Sequence, residues 1–143
     1  MLARMLGEER ASWCARAEDE RGAVKMWLVP PDCVVLDVRG HMNVHLAMEL
    51  RRMFDDCLIR TPAPKLHGFC DYFEVTGVDA AARAIIQELV KVRRDRLARL
   101  HYGVKSTFVV VGVQIAALFH KVASYTYSSP ARLEAAMREH LAG

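Results

Sequence analysis

The sequence lacks most of the patterns that announce specialised chemistry. Its four cysteines, Cys14, Cys33, Cys57 and Cys70, form no CxxC pair and stand among apolar neighbours, so they read as reduced thiols used as small apolar residues. Gly77, Gly103 and Gly112 are isolated, so there is no glycine-rich loop to cradle a phosphate. Neither sign of charge dominates: 20 basic against 17 acidic residues leave a formal net charge of +3, which implies no strong steering toward nucleic acid. There is no internal repeat and no low-complexity tract. The apolar segment Phe108 to Phe119 is too short to span a bilayer. The first residues carry Glu8, Glu9, Glu18, Asp19 and Glu20 instead of the basic start and apolar run of a secretory leader, and a cytoplasmic location is expected.

What is present is a chain of 143 residues, 52% hydrophobic, long enough for one domain with a core and too short to expect two. Residues 1–22 mix charge with scattered Leu, Met and Trp13 and read as an amino-terminal appendage, a short helix, a flexible tail or a partner-docking segment, ahead of a domain at 23–143. Val24 to Val29 and Val34 to Val38, rich in β-branched residues and separated by Pro30, Pro31 and Asp32, predict an opening hairpin. Leu46, Leu50, Met53, Phe54, Cys57 and Leu58 recur at helical spacing, and the helix they predict stops before Pro62 and Pro64. Leu66 to Phe73 reads as a central strand. Thr76-Gly77 then reads as a turn, with Asp79 as N-cap of a helix whose stripe is Ala82, Ile85, Ile86, Leu89 and Val90. Leu100, Tyr102 and Val104 alternate as a strand. Ser106 or Thr107 could cap a following helix, although Val109, Val110 and Val111 favour a strand. Val122 to Tyr127 is a last strand, and Ser129-Pro130 an N-cap and first position for a helix to Leu141. Such alternation calls for a mixed sheet of about five strands covered by helices.

Several segments have a familiar wording: Trp27-Leu28-Val29-Pro30-Pro31-Asp32 leading into Val34 to Gly40, then Val75-Thr76-Gly77-Val78-Asp79-Ala80-Ala81-Ala82-Arg83, and finally Ser124 to Pro130. With the order of elements they resemble the SpoIIAA-like branch of the STAS fold, the anti-anti-sigma factors, over most of the chain from Val24 to Leu141. The resemblance implies an α/β fold and a non-enzymatic binding or regulatory role. In that family the turn reads Asp-Ser-Ser-Gly, and its second serine is phosphorylated to switch partner binding. With Asp79 on that aspartate, Ala80 and Ala81 stand on the serines and Ala82 on the glycine. Alanine cannot carry a phosphoryl group, so the resemblance extends to the fold and not to the phosphoswitch. Thr76 keeps a hydroxyl nearby, read as stabilising the turn.

Other constellations are thinner. His41 and His45 stand four apart, as metal ligands on a helix do, but without the glutamate of HExxH or a third ligand, and they read as capping or surface residues. His67 and Cys70 point to opposite faces of a strand and cannot form a dyad; Cys70 with a distant histidine such as His101 is the remaining nucleophile arrangement. Asp71 lies toward the carboxyl end of its strand, where open α/β sheets border their ligand crevice. Lys91, Arg93, Arg94, Arg96 and Arg99 form the strongest basic run, interrupted by Asp95, and read as a solvated helix end.

The expectation from these residues is a non-enzymatic module that docks a protein partner or itself, with no cofactor, no metal and no nucleic acid. The candidate contact residues are Asp71, Thr76, Gly77, Asp79 and Arg83, together with Phe108, Val111, Ile115 and Phe119 of the apolar segment. A carrier of a small apolar ligand or lipid, and a thiol-dependent enzyme, are the readings from other classes.

Overall fold

Two alternations of period two, one per sheet face, organise the molecule. The computed structural model describes residues 3–105 and 122–143. The elements are α1 (Ala3–Arg10), β1 (Trp13–Glu18), β2 (Gly22–Val29), β3 (Cys33–Met42), α2 (Val44–Arg60), β4 (Leu66–Val78), α3 (Ala80–Arg93), a 3₁₀ turn (Arg94–Arg96), β5 (Leu97–Gly103), β6 (Ser124–Tyr127) and α4 (Pro130–Ala142). The six strands lie side by side in sequence order, where the sequence predicted about five. β1, β2 and β3 are antiparallel neighbours, and β3 to β6 run parallel.

The additional strand is β1. Residues 3–22, set apart in the sequence as an appendage, hold α1 and this edge strand, which pairs with β2 from Trp13↔Leu28 to Glu18↔Ala23. Trp13, Ala15 and Ala17 alternate onto the core beneath α2. The hairpin of β2 and β3 follows the expected turn at Pro30-Pro31-Asp32, and β4 is central as expected.

One face of the sheet presents Met26, Leu36, Cys70, Tyr72 and Leu100 to α2 and α3; the other presents Trp27, Val35, Phe69 and Phe73 to α1 and α4. Because consecutive residues of β2, β3 and β4 serve opposite cores, these strands read as near-continuous apolar runs. Leu46, Leu50, Met53 and Phe54 form the stripe of α2, and Ile86, Leu89 and Val90 that of α3.

Helix starts show which local rules held. Ser129 caps α4 as expected, its hydroxyl accepting from the Arg132 N–H, with Pro130 in the first helical position. Asn43 caps α2 through its side-chain oxygen, which accepts from Leu46 N–H at 2.9 Å. The Thr76-Gly77 turn is corrected: β4 continues to Val78, because β3 also runs on and the ladder extends to Met42↔Val78. The possible cap at Ser106 or Thr107 and the apolar segment Phe108 to Phe119 lie outside the described residues. Among the described residues, no helix is long and apolar enough to cross a membrane.

Candidate functional site

Where β3 and β4 end and α2 and α3 begin, the chain builds a clamp. Gly40 takes a φ of +71°, a backbone state that favours glycine, beside an irregularity in the β3–β4 register that precedes His41. His41 then lies opposite Gly77, and a Cβ on residue 77 would stand 2.9 Å from His41 Nδ1. Gly77 is therefore there for the imidazole to cross it, not for a turn. Beyond it, His41 Nε2 meets Asp79 Oδ1 at 2.6 Å, with the imidazole as donor because an ionised carboxylate only accepts. Asp79 stands at the N-cap of α3 but makes no side-chain capping bond. The expected cap is corrected: its carboxylate serves His41, while its backbone N–H donates to Met42 O at 3.0 Å. Thr76, Ala80 and Ala81 are exposed around the clamp, and Arg83 is half-buried on the first turn of α3.

The histidine reading changes with this geometry. His41 is a strand residue and His45 an exposed residue of α2, so the two share no helix face.

Asp71 belongs to a different place. It lies in the body of β4, on the face covered by α1 and α4, directly beside Asp37 of β3. Eight residues of strand, about 25 Å, separate it from Asp79, so the structure does not bring Asp71 together with the clamp. Both carboxyl groups are buried, Asp37 at 4% and Asp71 at 7% exposure. Burial, then the neighbouring Asp71 carboxyl, push Asp37 up to about 6, against the opposing pull of Arg4 and Lys25. Burial also raises Asp71, offset in part by the Phe73 N–H it accepts at 3.2 Å. Arg39 Nε donates to Asp37 Oδ2 at 3.1 Å and also meets Glu74 Oε2 at 3.2 Å. Beside Asp37 opens a recess of about 380 Å³ lined by Arg4, Glu18, Ala23, Lys25, Asp37 and Arg39. Asp37 was not singled out in the sequence, where a lone aspartate within Val34 to Val38 has no distinguishing spacing.

The three buried thiols, Cys33, Cys57 and Cys70, are unsuited to nucleophilic work, whereas Cys14 is exposed on β1. Burial pushes Cys57 and Cys70 up to about 12 and raises Cys33 further, whereas a reactive cysteine needs its thiolate. His67 and Cys70 do face opposite sides of β4. The Cys70–His101 arrangement is corrected: His101 stacks on Phe69 at 4.5 Å, on the face opposite Cys70, and its Nδ1 lies 2.8 Å from Tyr127 Oη. Burial and the neighbouring His67 and His140 hold His101 down to about 4.

Of the basic run, Arg93 pairs with Asp55 at 3.1 Å, and Arg96 donates to the carbonyls of Pro64 and Ala63. These contacts tie the end of α3 to α2 and to the loop entering β4. Between the sheet and helices α2 and α3 lies an apolar cavity of about 60 Å³, lined among others by Leu36, Phe54, Cys70 and Leu89. That is well below the roughly 300–1,000 Å³ of small-molecule pockets. Phe108, Val111, Ile115 and Phe119 lie outside the described residues.

No protein-family model matches the chain, and no curated protein matches it. Among solved structures it is similar to an uncharacterized protein of the DUF3478 family with a SpoIIAA-like fold from Shewanella loihica PV-4. The two are 12% identical, with a TM-score of 0.62 over 82% of this chain and 94% of the other. The fold of this chain is SpoIIAA-like, as its order of elements implied.

Proposed function

We propose that this SpoIIAA-like chain is a non-enzymatic binding module that docks a protein partner at the edge where β3 and β4 end and α2 and α3 begin, without a serine switch. The clamp from His41 Nε2 to Asp79 Oδ1, 2.6 Å long, carries the reading. It ties the start of α3 to the end of β3, so the edge is held ready before a partner arrives and less ordering is lost on binding. Ala80 and Ala81 are exposed beside it and cannot accept a phosphoryl group. Val44 and Met48, exposed near the start of α2, add apolar surface to the same edge, and methionine adapts readily to a partner's shape. The buried, high-pKa thiols supply no nucleophile, and the 60 Å³ cavity gives an apolar cargo little room.

The test places a photo-crosslinking residue at Ala81 and, as a control, at exposed Ala135 on α4. A discrete adduct from position 81 and none from 135 is the expected result, with sedimentation velocity distinguishing a foreign partner from a second copy. No adduct at 81, or the same adducts from both positions, defeats the reading.

A further inference from the structure

At the opposite end of β3 and β4, three side chains from distant parts of the sequence converge. Asp32 ends the turn before β3, His67 is the second residue of β4, and His140 lies in the last turn of α4. The fold brings them together: the His67 N–H donates to Asp32 O at 2.8 Å, and burial of Leu133 and Met137 seats α4 against the sheet. His140 Nε2 lies 2.8 Å from Asp32 Oδ1, and His67 Nε2 lies 3.8 Å from Asp32 Oδ2. The two imidazole rings are tilted by 36° to each other, with centroids 4.1 Å apart.

We propose that Asp32, His67 and His140 form a binding site for a first-row divalent transition-metal ion, with Zn²⁺ the best fit. One donor atom from each residue lies within 4.8 Å of the other two. Tetrahedral zinc, about 2.0–2.1 Å from each ligand, sets its donors about 3.3 Å apart, against 2.8 Å from His140 to one oxygen of Asp32 and 3.8 Å from His67 to the other. Small side-chain rotations suffice, and the ion takes the place of the proton between His140 Nε2 and Asp32 Oδ1. Two imidazoles and one carboxylate suit zinc and its neighbours, whereas Ca²⁺ and Mg²⁺ seek oxygen ligands. Three protein ligands leave the fourth position to water, and side-chain exposures of 22–33% leave the ion a way in.

Arg99 places a positive charge near His67. Phe69, whose ring lies 5.9 Å from that of His140, separates the trio from His101, which Tyr127 engages. Arg99 is the unfavourable neighbour: with one carboxylate against a doubly charged ion, it limits affinity.

Calorimetric titration of Zn²⁺ into the tag-free full chain, first stripped with a chelator, tests the site. The expected result is one ion per chain, with binding weakened at least about tenfold in Asp32→Asn and in His140→Ala and unchanged in His45→Ala. Co²⁺ bound in place of zinc is expected to give visible bands of low-coordinate cobalt that Asp32→Asn alters. Absence of stoichiometric binding overturns the proposal, as does Asp32→Asn binding zinc like the parent; that variant keeps the size of the side chain, so it decides should His140→Ala fail to fold. The trio lies at the other end of the strands from the docking edge, so either result stands without the other.

Discussion

The buried pair Asp37 and Asp71 makes the chain less stable at neutral pH than its apolar packing alone would allow, and Asp37→Asn measures by how much. Asp37 rises from an ordinary 3.8 to about 6, which at about 1.4 kcal/mol per pKa unit is a penalty of about 3 kcal/mol once the group is ionised. Between these values the native state keeps a proton that the unfolded chain has released. Stability therefore falls as pH rises through that window and levels off above it. Linkage puts about 1 kcal/mol of the penalty in place by pH 4.5 and nearly all of it by pH 7.5. The substituted amide has no charge to desolvate. Arg39 keeps Glu74 at 3.2 Å, and an exposed pair of that kind contributes little. In urea unfolding, the stability of Asp37→Asn relative to the parent is expected to improve by about 2 kcal/mol from pH 4.5 to pH 7.5. A difference that stays constant or shrinks over that interval refutes the reasoning, and would mean that Arg4, Lys25 and Arg39 already neutralise the pair.

Two further outcomes concern the clamp and the amino-terminal segment. Gly77→Ala sets a Cβ against His41 and should cost about 1 kcal/mol by displacing the imidazole from Asp79; combined with Asp79→Asn, the loss should fall short of the sum of the two, which a double-mutant cycle by chemical denaturation checks. Deleting residues 1–22 removes the buried Leu6, the β1 ladder and the Arg60–Trp13 stack; circular dichroism on heating should then show no cooperative transition, and dye binding to the uncovered Trp27 and Val35 should rise.

Local patterns carried the fold. The helical stripe of α2, the prolines after it and the Ser129-Pro130 start of α4 are each decided by neighbours in sequence, and each stands where the sequence put it. Trp13, Ala15 and Ala17 alternate with Cys14, Arg16 and Glu18, so β1 had a signal, masked by the charged residues on both sides of it. Thr76-Gly77 misled because glycine after threonine suits a turn, and only the length of β3 shows that the ladder continues. The site residues that escaped notice depend on distance. Asp37 becomes unusual through its register with Asp71, and Asp32 meets His140 across 108 residues. Nothing in a spacing rule reaches that far.

The register shift between Asp37 and Arg39 has a consequence for how β4 can vary. Before it, the even-numbered Cys70 and Tyr72 face α2 and α3; after it, the odd-numbered Val75 does. This shift and the second one, between Gly40 and His41, each reset the phase of the strand, so that the even-numbered Val78 returns to the side of α2 and α3. The stretch before the first shift holds His67 and Asp71 on the side of α4, and the stretch after the second delivers Gly77 and Asp79 to the opposite end of the sheet. One continuous strand therefore comprises three segments of separate phase, and the pattern of inward-facing positions at one end does not carry over to the other.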